Sequence, residues 1–263
     1  MGIQDSFLLV GLLSGLAVAV SGMILQLIGH FLFKRFGDED TKEVAGVAGF
    51  RVAAIFGIAC GLIFAASAAY LIEAKRDLQE EARLIGTLQY LVANAEGLSN
   101  KTEVQEKLSA FAERSLKEFQ TREGVGKAGR VTSNYLGESC RSMVPREDDT
   151  PVVTWTKTEF KRSCSKLIEL RGKKLIGSRE PLVSTPFWAF FAICFAFLAF
   201  LFGVFRLTPI NLAFAGIFYF TTGVTGAIIY AMSNPYHEPG KVDPTPLLLL
   251  LQGANEARST NGQ

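Results

Sequence analysis

Asp, Glu, Lys and Arg are absent from residues 6–33, 52–72, 181–205 and 207–237 of this 263-residue chain. Gaps of that length exclude a water-soluble globular protein, whose buried helices are shorter and broken by polar positions. Each gap suffices to cross a hydrocarbon layer of about 30 Å, which takes about 20 helical residues whose backbone groups bond within the segment. The hydrophobic content of 49% and the charged content of 20% are therefore segregated along the chain rather than mixed. The expected spans run from about Phe7 to Phe33, across 52–72, across 181–205 and from about Ile210 to Met232.

Other scarcities narrow the chemistry. The first six residues carry Asp5 and no Lys or Arg, and the apolar run after them is far longer than the core of a secretion signal, so the first span is expected to be retained. Met1-Gly2 with Ser6 fits a loose myristoylation pattern, which adds little beside four spans. The only histidines are His30 and His237, and no zinc spacing, phosphate-binding loop or nucleophile elbow accompanies them. No catalytic residue, metal ligand or cofactor is assigned, and the chain is not expected to be an enzyme. Gly124, Gly126 and Gly129 spell a dinucleotide fingerprint, but no strand precedes them. Glu80–Glu81 and Asp148–Asp149 are expected to be solvated surface charge, because neighbours on a helix point apart and the second pair lies in a turn-like stretch. A net charge of +2 without a basic stripe gives no nucleic-acid partner.

No charge sits within a span, which leaves no proton relay, voltage sensor or coupled transporter to argue for. Gln26 and His30 are the most polar side chains of span one, and His30, beside Lys34 and Arg35, is expected at the interface. What the spans do contain is small residues. Gly11 and Gly15 in span one, Gly57 and Gly61 in span two, and Gly223 and Gly226 in span four offer faces on which helices can approach closely. Span three is rich in Phe all round, which suits a helix facing lipid on several sides. Trp188, Tyr230 and Tyr236 are expected to be interfacial anchors on a common side. A pore, if these helices surround one, requires an oligomer; Phe56, Cys60, Ile63 and Phe64 on span two are its candidate lining, with Phe56 or Phe64 able to gate by dewetting.

The expected fold is an all-α integral membrane protein: four transmembrane helices in two pairs, with a helical extramembrane domain between spans two and three. The divisions are residues 1–74, 75–180, 181–233 and a proline-containing tail, 234–263. Span two runs without a Pro or Gly break from Ala65 into Leu78, Ala82 and Ile85 and keeps its period to Val92, predicting one long helix that leaves the membrane. A second helix is marked by Val104, Leu108, Phe111, Ser115 and Phe119 behind Asn100 and Glu103 in capping-box spacing. Residues 122–153 are expected to be loops or short helices. A third helix is expected from about Thr156, carrying Phe160, Cys164, Leu167 and Ile168. In the tail, Pro235, Pro239, Pro244 and Pro246 suppress helix until Leu247, after which Leu247 to Leu251 can dock in an apolar groove. Asp243 in this segment is a minor ligand candidate.

Lys34, Arg35, Lys42, Arg51 and Arg206 lie in the short loops, against Lys241 on the other side, which predicts cytoplasmic short loops. Both termini and the large domain would then be periplasmic, at a bacterial inner membrane. Cys140 and Cys164 are the only cysteines of the large domain; one disulfide between them and two free thiols are both open readings.

Three stretches together resemble the bacterial bestrophin-like membrane domain family. They are Phe33-Lys34-Arg35 with Val47-Ala48-Gly49, the polar continuation of span two at Glu80, Glu81 and Ala82, and Asn234-Pro235-Tyr236 with Gly240 and Val242 to Leu247. Tyr236 stands where the family pattern has Phe, and the acidic run that binds calcium in animal bestrophins is absent. The resemblance implies a symmetric homo-oligomer and, by analogy with pentameric anion channels, a passive ion pathway. It also implies cytoplasmic termini, opposite to the charge count. The competing reading is a non-conducting scaffold or sensor whose extramembrane domain binds a protein partner.

Overall fold

A computed structural model describes the backbone of residues 3–120, 124–147 and 149–261, with side chains for 8–119, 132–147 and 149–253. The myristoylation pattern at Met1-Gly2 and the residue Asp148 lie outside the described residues. Every described element is helical, and there is no strand among them. The helices are α1 (Ile3–Phe36), α2 (Glu39–Ala93), α3 (Lys101–Gln120), α4 (Gly124–Ser142), α5 (Pro151–Gly177), α6 (Thr185–Leu201), α7 (Pro209–Ser233) and α8 (Thr245–Asn261). Four of them, α1, α2, α6 and α7, are long and apolar enough to cross a membrane. The chain divides into two compact units: Met1–Tyr70 with Pro181–Asn234 and Glu238–Gly240, and Leu71–Glu180 with Pro235–His237 and Lys241–Gln263.

In the membrane unit, α1 packs on α7 and α6 through glycines spaced by seven, two helical turns apart. A Cβ on Gly15 would stand 2.7 Å from Phe220, and one on Gly22 would stand 2.6 Å from Tyr219. On Gly29 it would run into the carbonyl of Phe200. Gly223 of α7 is equally confined, with the Ser14 carbonyl 2.7 Å from its Cβ position. Two hydrogen bonds tie the same seam. The Tyr219 hydroxyl donates to Gln26 Oε1 at 3.1 Å, and His30 Nδ1 donates to the Gly203 carbonyl at 3.0 Å. Gly203 lies in the 3-10 turn Phe202–Val204 that ends α6, nested on the α1 backbone at Gly29 and His30. On span three, Phe195 is buried edge-on against Tyr219, while Phe190 and Phe197 remain exposed. The opposite side of α1, from Leu8 to Phe31, exposes large aliphatics, as a lipid-facing surface requires.

Local chemistry sets the helix ends. Asp38 Oδ1 accepts from Thr41 N at 2.8 Å and caps α2. Thr208 caps α7 ahead of Pro209, its hydroxyl accepting from Asn211 N. Thr150 caps α5 ahead of Pro151, so this helix begins five residues before the expected Thr156. The Gly- and Ser-rich stretch before it, expected as loops or short helices, contains a 19-residue helix, α4. Its formation is explained by Leu136 within it and Met143 just past its end, both fully buried in the core of the extramembrane unit. Gly124, Gly126 and Gly129 lie inside α4.

The extramembrane unit has a core of its own, from Ala74, Leu78, Ile85, Leu88 and Val92 of α2 to Phe111 of α3 and Phe160 and Leu167 of α5. Each of these larger side chains contributes about 1.5–3 kcal/mol by burial. Asn100 does not close a capping box; its amide donates to the Ser142 carbonyl at 3.0 Å, fixing the start of α3 to the end of α4. A disulfide joins Cys140 of α4 to Cys164 of α5. The tail completes the core, since Tyr236, Val242 and Leu247 are all buried in it. Tyr236 is therefore a core residue and not an interfacial anchor; Trp188 and Tyr230 meet edge to face, 6.1 Å between ring centres. Helix α8 starts at Thr245, two residues before Leu247, because Pro246 falls in its first turn, where a missing N–H costs nothing.

Candidate functional site

Along α2 the 3.6-residue period sorts the span into three faces. One line is turned into the unit: Phe56 is 6% exposed, with its ring 5.0 Å from Phe191 of α6, and Cys60 and Ile63 are half-buried below the same line. A second, about a quarter turn away, holds Gly57, Gly61 and Phe64. Nothing approaches within 4 Å of a Cβ on either glycine, and Phe64 is 40% exposed. The third carries Ile55, Ile58 and Leu62, all exposed by 60% or more. Of the six glycines singled out in the sequence, Gly15, Gly223 and Gly226 meet neighbours inside the unit, and Gly11, Gly57 and Gly61 face open space. Gly22, Gly29 and Gly203 are among the confined glycines that the i, i+4 spacing misses.

The extramembrane unit holds a buried ionic cluster. Arg171 of α5 donates to both carboxylate oxygens of Glu118 of α3, at 2.6 and 2.8 Å, and at 3.2 Å to Glu81 of α2. Lys174 donates to the second oxygen of Glu81 at 3.0 Å, and the Ser115 hydroxyl donates to the first at 2.9 Å. All five side chains are buried. Burial pushes the Glu81 carboxyl up, but Lys174 and Arg171 outweigh it and hold it down at about 2. Burial lowers Lys174, whereas Arg171 is raised because its two carboxylates overcome its burial. The expectation that Glu80 and Glu81 are both solvated is thus half wrong. Glu80 is exposed and pairs with Arg83, while Glu81, a helical step away, shares the face of Leu78 and Ile85. Asp149 is not solvated either, since it takes the Lys157 ammonium at 2.7 Å and the Arg146 N–H at 2.6 Å. Beside the cluster a cavity of about 10 Å³, at the lower limit for one water, is bounded by Asp77, Glu81, Lys174, Tyr236 and Val242.

In the tail motif, Asn234 donates from its amide to the Tyr230 carbonyl at 2.8 Å and closes α7. The Pro235 carbonyl accepts from Val242 N at 2.9 Å, folding the loop back on itself. Asp243 accepts from the backbone and hydroxyl of Thr245, at 3.0 and 2.7 Å, and Pro246 follows it into α8. These groups terminate and start helices. Among the described residues, no cluster of His, Cys, Asp and Glu is arranged to hold a metal ion.

Four membrane-length helices, uncharged spans and a helical unit built on the continuation of the second span define an all-α integral membrane protein. The model of the Bestrophin-like domain matches residues 11–247, and the chain belongs to that family. No curated protein and no solved structure matches it.

Proposed function

We propose that the chain forms a symmetric homo-oligomer whose axis is lined by the membrane half of α2, and that it passes anions passively. The observation that carries this reading is the open face of α2, with Gly57, Gly61 and Phe64 unmatched inside the chain. Membership of a family that includes anion channels supports it. In this arrangement Phe64 narrows the path and Gly57 and Gly61 widen it, while Phe56, Cys60 and Ile63 brace the helix from behind and set its tilt. A ring of Phe64 side chains gates by dewetting, since nothing charged lines the span. The disulfide Cys140–Cys164 and the basic short loops support an extramembrane domain outside the cytoplasm, in the periplasm of a bacterium.

Purified full-length protein in planar bilayers is expected to give anion-selective currents that rise in Phe64→Ala. Silence from protein of defined oligomeric state, in both forms, overturns the channel. The second reading, a scaffold that docks a protein partner through its extramembrane domain, is favoured by Trp155, which is 61% exposed beside Val152 at the start of α5. It predicts a stable co-purifying protein that is lost in Trp155→Ala.

A further inference from the structure

Where α2 enters the membrane it leaves an open groove of about 550 Å³ between its first turns and α6. The walls are apolar: Val44, Val47, Ala48 and Val52 of α2, and Phe197 of α6. Glu43 and Arg51 lie at its rim, both exposed, and neither forms a salt bridge with the other or with any described residue. Val44, Val47 and Phe50, between those two charges, are exposed by 50% or more. A water-facing surface does not favour three such residues together, but the boundary between lipid headgroups and acyl chains does. Arg51 is the last charge before the uncharged stretch 52–72, and a helical side chain leans towards the N-terminus, so its guanidinium meets the phosphate layer about one turn back along α2, beside Val47.

We infer that this groove binds one phospholipid with a zwitterionic, primary-amine headgroup: its phosphate on Arg51, its ammonium past Val44 towards Glu43, and an acyl chain leaving the groove into the membrane between Val52 of α2 and Phe197 of α6. An arginine binds a phosphate through two parallel N–H donors, which fixes the glycerol end of the lipid at the rim. Glu43 decides the headgroup. From Lys34 to Arg51 the chain carries four basic residues (Lys34, Arg35, Lys42, Arg51) and four acidic ones (Asp38, Glu39, Asp40, Glu43), so this boundary has no net charge with which to collect purely anionic lipid. An opposite pair left unpaired on one groove matches a headgroup that carries both signs, and the Glu43 carboxylate accepts N–H donors that a primary ammonium has and a quaternary one lacks. The site depends on the spans crossing the bilayer and not on conduction.

The test is native mass spectrometry of the full-length protein, delipidated in detergent and titrated separately with phosphatidylethanolamine, phosphatidylglycerol and phosphatidylcholine. Wild type is expected to retain one phosphatidylethanolamine per chain in preference to the other two. Arg51→Gln removes a charge-assisted contact and is expected to weaken that retention about tenfold. Glu43→Gln is expected to shift the preference towards phosphatidylglycerol, and Val47→Trp, which fills the groove from an exposed position, to abolish the retained lipid. Equal retention of all three lipids by wild type, or unchanged retention in both Arg51→Gln and Val47→Trp, overturns the inference. A change of oligomeric state in Val47→Trp with the lipid count intact also overturns it, because the groove is then a seam between copies of the chain.

Discussion

Glu81 shows how a single side chain changes meaning with its position on a helix. One residue earlier, Glu80 makes an exposed pair with Arg83, an interaction of the kind that contributes from nothing to about 1 kcal/mol. Glu81 is enclosed with two cations and another carboxylate, where deleting one partner strands the others. Glu81→Ala is expected to destabilise the extramembrane unit by about 3–5 kcal/mol, measured by denaturant unfolding followed at Trp155. The acid limb of stability follows from the same group. Its folded value of about 2 lies below the ordinary 4.5, so its contribution is complete above about pH 4.5 and is lost as pH falls towards 2. Unfolding midpoints recorded across that window should fall in wild type and fall less in Glu81→Gln. In the membrane unit the corresponding position is Gly223, where a methyl group meets the Ser14 backbone and has nowhere to go. Gly223→Ala is expected to cost about 1–3 kcal/mol, read as a lower melting temperature in detergent, whereas Gly57→Ala, with open space around it, should leave the melting of a dissociated chain unchanged.

At the scale of helices, the disulfide between α4 and α5 makes a quantitative prediction. It closes a separation of 24 residues, and losing a loop of that size costs about 3 kcal/mol in the chain-entropy account. Cys140→Ser is chosen because Cys140 is the less buried partner, and its unfolding free energy from denaturant titration should fall by that amount, as should that of wild type under reductant. The spans were legible because length without charge admits few alternatives, and the long α2 because its apolar period continues through the appearance of charge. α4 was not legible: its glycines and serines read as loop, and Leu136 and Met143 help only once α3 and α5 supply the surface they cover. α5 starts ahead of the expected Thr156 because Thr150 supplies its N-cap and Pro151 its first position, a signal that lies outside the apolar period. The ionic cluster left a trace that periodicity carries. Arg171 and Lys174 occupy the next positions on the stripe Phe160, Cys164, Leu167, and Ser115 with Glu118 interrupt the stripe of α3. A charge at a core position predicts a buried partner, but not which helix provides it. The packed glycines escaped for a related reason, since the seam repeats every seven residues and not every four.

For the molecule as a whole, orientation separates the charge count from the family resemblance. A single cysteine at Ser165, exposed on α5, should react with a membrane-impermeant maleimide in intact cells with a permeabilised outer membrane, if the large domain is periplasmic. Protection until the inner membrane is broken would place that domain in the cytoplasm and remove the compartment in which the disulfide is stable. The background variant carries Cys60→Ala and Cys194→Ala, which clears the two free thiols.

The extramembrane unit is written in two instalments, Leu71–Glu180 first and Pro235–His237 with Lys241–Gln263 after the last two spans. Tyr236, Val242 and Leu247 reach its core from the second instalment. During synthesis, then, the first instalment must wait with an apolar gap until the ribosome has delivered both remaining spans and released Leu247. A stop codon after α7 would spare every membrane crossing and still leave that domain unfinished, so chaperone and protease attention should fall on the water-exposed half of such a product.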